Sequence, residues 1–291
     1  MYVTLKNDKL SLTVDTLGAQ MTSLKSADGV EYLWQGDPKY WGEQAPHLFP
    51  FIGRLTNNSY RYMGKVYSMN IHGFASSSEF VLMEQTEDSM VLGLGHSQET
   101  LERYPFWFLF KIVYTLKENR IEVSYQVDNL GECTMPFGIG GHPGFNVPLM
   151  EGEQFEDYEM QFSCPCQPDR VGFSTSVYLN GQDEPYPLRE DQYLDMKHTL
   201  FDEDAVILKN MAREVTLYSK KSGRGVCVSY PDMPYLGIWH WPRTDAPYVC
   251  IEPWSSLPSR QDVVEEFTCK SDLVQLPAGK TYISNWTITM L

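Results

Sequence analysis

Positive charge is scarce in this chain. Lysine and arginine number 23 against 38 aspartates and glutamates, so the formal net charge is -15 at pH 7. Nucleic acids and anionic membrane surfaces bind basic faces. We therefore expect neither as a partner. Anionic small substrates are disfavoured less strongly, because a local arginine can override the overall field.

Long apolar runs are also missing. No stretch is long enough to span a bilayer, and the opening MYVTLKNDKL lacks a charged-then-apolar leader pattern. Of the six cysteines, only Cys164 and Cys166 are close in sequence, and their C-P-C spacing is neither a zinc nor a redox signature. These absences predict a cytoplasmic protein with reduced thiols.

The familiar catalytic signatures are absent. The chain has no P-loop, dinucleotide glycine fingerprint, HExxH motif, Cys/His metal cluster or GxSxG elbow. Nucleotide, metal and serine-hydrolase chemistry are therefore unsupported, and we expect neither a cofactor nor a bound metal. Acid–base chemistry by histidine and glutamate remains.

Helical periodicity is nearly absent, and short alternating apolar segments separated by turn residues dominate. This pattern predicts an all-β fold, a large antiparallel sandwich with few short helices, as a single domain over residues 1–291. We expect helical turns only in HSQETLERYPF and SSLPSRQDVVEEF, and a strand at EYLWQ. Residues 151–204 are predicted to be long loops over one end of the sheet.

The stretch GIGGHPGFNVPL, residues 138–149, holds the first candidate site residue. Gly140 and Gly141 allow sharp turns and close approach before His142, and Pro143 fixes the backbone after it. A structural loop histidine is the simplest explanation for one such residue. A second histidine in a similar setting, His72 in NIHGF, favours chemistry.

Glu252 ends an apolar strand in YVCIEPW. Apolar and aromatic surroundings disfavour a carboxylate, which raises the pKa towards the range useful for proton transfer. The alternative is a structural Glu252 paired with Arg260. Arg54, in LFPFIGRL, is expected to be partly buried and to need acceptors, either a carboxylate partner or a sugar hydroxyl.

Two further sets of residues have simpler explanations on sequence alone. Asp204 lies in the acidic segment TLFDEDAVIL, and the simplest explanation is that this segment is a solvated turn. Alternation places Trp239 and Trp241 on one face near Trp254. Packing in the core is the simpler explanation for these tryptophans, and a platform that stacks on a sugar ring is the functional alternative.

Four motifs in order, FPFIGRL, HGFA, GGHPGFN and IEPW, together with the opening TLGAQMTSLKSADGVEYLWQGDPKYW, resemble the aldose 1-epimerase (galactose mutarotase) family. The similarity runs over nearly the whole chain and is greatest to a bacterial branch called LacX-like. The resemblance implies the β-supersandwich of galactose mutarotases, with an open cleft for a free monosaccharide and no cofactor.

The resemblance also implies roles for individual residues. His142 would be the general acid and Glu252 the general base. Arg54 and His72 would bind sugar hydroxyls, and Asp204 matches the family's binding aspartate. We also expect Trp239 and Trp254 to bind the substrate. The implied activity is the interconversion of the α and β anomers of a hexose such as galactose or glucose, by a monomer or homodimer.

Three alternatives stay open at this point. A hexose-6-phosphate 1-epimerase would need a basic pocket, for which Arg243 and Arg260 are candidates. A non-catalytic sugar-binding or sensor protein would bind sugar without turnover. A glycoside hydrolase or lyase usually needs two carboxylates flanking the bond, and only Glu252 is well placed.

Overall fold

The computed structural model describes all residues, 1–291, and nearly all of its regular structure is antiparallel strand. The first strands, up to the middle of the chain, are β1 Tyr2–Lys6, β2 Leu10–Asp15, β3 Met21–Ser26, β4 His47–Leu48, β5 Ser59–Tyr62, β6 Lys65–Ser68, β7 Val81–Gln85, β8 Ser89–Gly95, β9 Phe108–Lys117, β10 Arg120–Asn129, β11 Met135–Phe137, β12 Gly140–Gly141 and β13 Gly144–Asn146. The remainder are β14 Tyr158–Phe162, β15 Asp169–Arg170, β16 Glu184–Pro185, β17 Tyr193–Asp195, β18 Val206–Lys209, β19 Glu214–Ser219, β20 Gly225–Ser229, β21 Tyr235–Trp239, β22 Tyr248–Trp254, β23 Val274–Leu276 and β24 Thr281–Met290.

Helical structure is confined to short pieces. The one α-helix, α1 Gln98–Arg103, begins after Ser97, whose side chain accepts a hydrogen bond from the Thr100 N–H in a capping box. Four 3₁₀ turns cover Thr56–Asn58, Ala75–Ser77, Phe155–Asp157 and His198–Phe201. No helix is both long and apolar enough to cross a membrane.

Two large sheets form the sandwich. The nine-stranded sheet has the order β17-β14-β19-β20-β24-β10-β9-β8-β7, and the eight-stranded sheet has β16-β15-β18-β21-β22-β12-β4 with β13 also paired to β22. A three-stranded sheet, β1-β2-β3, and the pairs β5-β6 and β11-β23 complete the fold. The all-β antiparallel prediction is confirmed.

The predicted hairpins form where their turn residues allow. Met63 and Gly64 both take positive φ, 49° and 75°, in the two-residue turn between β5 and β6. Glu118, with φ 55°, is the first residue of the two-residue turn between β9 and β10. The long pair β9–β10 alternates buried and partly exposed positions along its length, so one face enters the main core.

Two predicted elements are wrong. SSLPSRQDVVEEF, residues 255–267, forms no helix: Pro258 lies in its middle and the Ser259 N–H donates to the Arg54 carbonyl instead of to its own turn. EYLWQ, residues 31–35, makes only isolated bridges because its hydrogen bonds go to two different segments. The Tyr32 N–H donates to the Leu24 carbonyl and the Trp34 N–H to the Gly144 carbonyl.

The region 151–204 is also more ordered than predicted. It contributes β14, a nearly fully buried strand between β17 and β19, and β15, which pairs with β18 in the other large sheet. Its proline and acidic content hid the strand YEMQF, which alternates apolar and polar residues and buries Glu159 on its polar face. The long-loop prediction therefore holds only for the segments between these strands.

The main core lies between the large sheets and comprises 66 buried residues. In β22, Val249 and Ile251 point into this core, whereas Cys250 and Trp254 belong to smaller apolar clusters. Alternation therefore gives the strand a second face, on which Cys250, Glu252 and Trp254 lie together. This second face of the eight-stranded sheet carries the candidate site.

Candidate active site

Glu252 lies on the second face of β22 and is 1% exposed. Its neighbour across the strand pair is Gly237 of β21. A Cβ at Gly237 would lie 3.1 Å from the Cβ and 3.4 Å from the carboxyl carbon of Glu252. The glycine therefore leaves the space beside the carboxyl group free. Arg260 pairs with Glu265, not with Glu252, so the structural explanation of Glu252 is wrong.

His142 faces Glu252 from the turn between β12 and β13. Its backbone N–H donates to the Pro46 carbonyl at 3.0 Å, which fixes the turn. Its Nε2 lies 3.2 Å from Oε2 of Glu252, and the side chain is nearly buried. The angles of this contact fall short of a hydrogen bond, so Oε2 of Glu252 has no hydrogen-bond partner. Nδ1, the other ring nitrogen of His142, has none either. The two side chains are therefore in contact with each other and free to form hydrogen bonds with a ligand.

Aromatic rings hold the imidazole of His142 in place. The Trp41 ring lies 4.8 Å from it at an interplanar angle of 30°, and the Trp239 ring meets it edge-on at 5.6 Å. Trp41 and Trp239 also pack against each other at 5.6 Å. Trp241 is 46% exposed and lies beyond the end of β21, so Trp239 is the tryptophan of this pair that contacts the site.

His72 lies on the other side of His142, with ring centroids 5.7 Å apart. It has a positive φ of 62°, and the Gly53 N–H donates to its Nδ1 at 3.1 Å. Nδ1 is therefore an acceptor, and a neutral His72 carries its proton on Nε2. Burial, together with the nearby Arg54 charge, lowers the pKa of His72 to about 4, so the ring is neutral at pH 7.

Arg54 is exposed, which corrects the prediction of partial burial. The apolar run before it is buried, but its own backbone carbonyl binds Ser259 and the side chain extends to solvent. The guanidinium lies near enough to His72 to lower that pKa. An arginine at the mouth of the site keeps its donors free for a ligand.

Asp204 and Trp254 complete the group of predicted residues. Asp204 is partly exposed, and its Oδ1 accepts from the Ala205 N–H at 2.8 Å just before β18. Its negative charge acts on Glu252. The Trp254 ring lies 6.4 Å from His72, and its indole N–H is directed towards Glu252 without full hydrogen-bond geometry.

Desolvation controls the charge state of the pair. Burial, reinforced by the charge of Asp204, raises the pKa of Glu252 well above 4.5, although the Trp254 N–H partly opposes this. Burial and the neighbouring His72 lower the pKa of His142 well below 6.5. Burial therefore favours the neutral form of each group, and the pair has no net charge when the two groups share one proton.

Two residues of the site were not singled out from the sequence. Trp41, in the DPKYW segment, gave no periodic signal because it comes from a loop. Cys250 is two residues before Glu252 in the same strand, so alternation could have placed it on the same face. The ligand atoms of His142, Cys250 and Glu252 all lie within 4.8 Å of one another.

A polar cavity of about 700 Å³ opens beside Tyr40, next along the chain to Trp41. Its lining includes two exposed cations, Lys39 and Arg243, neither of which forms an ion pair with a carboxylate. The Lys39 Nζ lies 2.6 Å from the Tyr40 hydroxyl, and the Arg243 Nε donates to the Asp202 carbonyl at 3.2 Å.

Comparison with known proteins places this site in a family. The sequence model of aldose 1-epimerase matches residues 1–287. The chain belongs to the aldose 1-epimerase family. This membership supports a sugar epimerase, an isomerase by class.

Full-length relatives agree with the assignment. The chain is 38% identical to the chromosomal protein LacX of Lactococcus lactis, with all of both chains covered. A galactose mutarotase related enzyme from Lactobacillus acidophilus has a TM-score of 0.95 at 34% identity, covering 100% of this chain and 97% of the other. A galactose mutarotase-like protein from Lactobacillus casei has a TM-score of 0.93 at 31% identity, with complete coverage of both.

Glu252→Gln should stabilise this epimerase-family chain, and the gain should grow as the pH rises. A group whose folded pKa is raised contributes stability below its unfolded pKa and loses it as the pH rises through the folded value. Glutamine does not ionise, so the variant does not lose this stability as the pH rises. Melting temperatures between pH 5 and 9 measure the difference, about 2–4 °C for each kcal/mol in a chain of this size.

Glu265→Gln is the matched control. Glu265 is also 1% exposed, but Arg260 lowers its pKa against the effect of burial. Its carboxylate therefore stabilises the fold above pH 4.5, and the substitution should lower the melting temperature at neutral pH. Equal effects of the two substitutions at pH 8 would contradict the charge states derived for the site.

Proposed function

We propose that this protein is a mutarotase that interconverts the α and β anomers of a free hexose such as galactose or glucose. The observation that supports this is the 3.2 Å contact between His142 Nε2 and Glu252 Oε2, at a nearly buried position with no competing hydrogen bonds. An aldose needs two proton transfers at adjacent oxygens for ring opening. A facing acid–base pair supplies both.

The reaction balances with protein groups alone. The basic member of the pair removes the proton from the anomeric hydroxyl as the acidic member protonates the ring oxygen. The C1–O5 bond breaks, and the electrons of the O1–H bond form the C1=O1 carbonyl. Rotation about C1–C2 presents the other carbonyl face, and the reverse transfers close the ring.

One proton shared by the pair is enough for this cycle. If Glu252 holds it, Glu252 is the acid and His142 the base; if His142 holds it, the roles are those implied by the family resemblance. The low pKa of His142 and the high pKa of Glu252 favour the first arrangement in the unliganded site. Each ring closure exchanges the roles, so the pair returns to its starting state.

The surrounding residues fit a sugar. The neutral His72 offers its Nε2 donor, and the exposed Arg54 offers a fork of donors for vicinal hydroxyls. Asp204 is a hydroxyl acceptor beside Glu252. Trp239 and Trp254 supply flat apolar faces of the kind that stack on pyranose rings. The galactose mutarotase-like relatives favour galactose as the first sugar to test.

A phosphorylated hexose is the second candidate substrate. It is favoured by the cavity beside Tyr40, where Lys39 and Arg243 are free of carboxylate partners. Asp202 and Asp245 line the same cavity and oppose an anion. The net charge of -15 opposes it as well. The free sugar therefore remains the first proposal.

His142→Gln and Glu252→Gln should each slow mutarotation by about 10²–10⁴-fold, the usual contribution of a general acid or base. Polarimetry on freshly dissolved α-D-galactose and α-D-glucose measures the rate against the spontaneous reaction. His96→Ala is the control, because His96 stacks on Trp107 at the end of β8 and should retain the wild-type rate.

Two results would contradict the proposal. Acceleration of hexose 6-phosphates but not of free hexoses would transfer the activity to the phosphorylated substrate. Calorimetric sugar binding with no acceleration by the wild-type protein would support a non-catalytic binding protein.

The pH profile of kcat/KM should be bell-shaped. Activity requires the form of the pair with one proton. The acidic limb comes from a second proton, taken up below pH 6.5 because the pKa of His142 is lowered. The alkaline limb comes from loss of the single proton, above pH 4.5 because the pKa of Glu252 is raised. Both apparent values belong to the pair. A rate that is constant from pH 4 to 10 would exclude this pair as the catalyst.

A further inference from the structure

We propose that His142, Cys250 and Glu252 form a binding site for a soft divalent cation, Zn²⁺ or Cd²⁺, and that the cation inhibits the enzyme. The three side chains are 8%, 0% and 1% exposed, and their ligand atoms lie within 4.8 Å of one another. Cys250 and Glu252 share one face of β22, and His142 faces them from the turn after β12.

The donor set and its spacing suit these metals. Imidazole, thiolate and carboxylate are the side chains that bind zinc. Bond lengths of about 2.0–2.3 Å place the ligands of a tetrahedral zinc roughly 3.3–3.6 Å apart. The His142–Glu252 separation of 3.2 Å is already close to this. The widest separation between ligand atoms of the three residues, at most 4.8 Å, must contract by about 1 Å to bind zinc. It must contract less to bind Cd²⁺, which is larger.

The site also has unused coordinating atoms. Glu252 Oε2 is buried without a hydrogen-bond partner, the His142 ring forms no hydrogen bond through either nitrogen, and Nε2 is the nitrogen that faces Oε2; the Cys250 thiol is free. A cation would bind ligand atoms that the protein leaves unpaired, and the open fourth position would accept water. The fold therefore brings three protein ligands to one place.

Inhibition follows from proton bookkeeping. Binding M²⁺ releases the thiol proton of Cys250 and the single proton of the His142–Glu252 pair, so the bound site has no net gain of charge. Removal of the shared proton leaves no acid for the ring oxygen. Affinity should rise with pH, because the metal competes with two protons.

Cd²⁺ titration of metal-free wild-type protein tests the site directly. A thiolate-to-metal charge-transfer band in the ultraviolet reports coordination by Cys250, independently of turnover and of the proposed reaction. Cys250→Ser should lose this band and weaken metal binding at least tenfold. Cys164→Ser and Cys269→Ser, which change exposed cysteines, should retain binding by the site. Excess galactose should weaken Cd²⁺ binding to the wild type, because the two share His142 and Glu252.

The proposal fails if the charge-transfer band survives in Cys250→Ser, or if Zn²⁺ accelerates mutarotation instead of slowing it. Circular dichroism establishes that the variant folds, and Cys250→Ala replaces it if it does not. Loss of the band only in Cys164→Ser would place the metal at the C-P-C segment and overturn the assignment. Inhibition by Zn²⁺ that is not reversed by a chelator would also count against it.

Discussion

Desolvation of two facing titratable groups is the constraint on which the site depends. Glu252 and His142 are both removed from water, and each would be costly to bury with its charge. Placing them 3.2 Å apart lets one proton serve both. The scaffold maintains this arrangement by surrounding the pair with Trp41 and Trp239 and by placing Gly237 where a larger side chain would press on the carboxyl group. The same burial that tunes the pair also leaves its atoms without partners, which makes them available to a sugar or to a metal ion.

Much of the fold could be predicted because the information is local. Strand alternation and two-residue turns such as Met63–Gly64 determine hairpins within about a dozen residues. The predictions failed where pairing is distant. β14 is inserted between β17 and β19, which a local pattern does not indicate. Residues 255–267 are amphipathic enough to suggest a helix, yet their backbone groups bind other segments. Tertiary contacts determine whether such segments form strands, helices or loops, and local propensity carries no information about those contacts.

The candidate site was predictable to a similar degree. His142 and Glu252 were identified because glycines and apolar neighbours around a titratable residue are unusual. The exposure of Arg54 was mispredicted, because burial of a run of side chains does not fix the direction of the next one. Trp41 was missed because a loop carries no periodicity. The pKa shifts of His142 and Glu252 could not be derived in full from sequence, since they depend on how completely the tertiary structure excludes water.

The most direct test of the shared-proton account is a double-variant comparison by exchange NMR. With hexose labelled with ¹³C at C1, magnetisation transfer between the α and β signals measures anomer exchange at equilibrium in the presence of wild type, His142→Gln, Glu252→Gln and the double variant. If the two residues act as one unit, the double variant will exchange anomers at the same residual rate as either single variant. Losses that multiply in the double variant would show that the residues act independently, and would contradict the account.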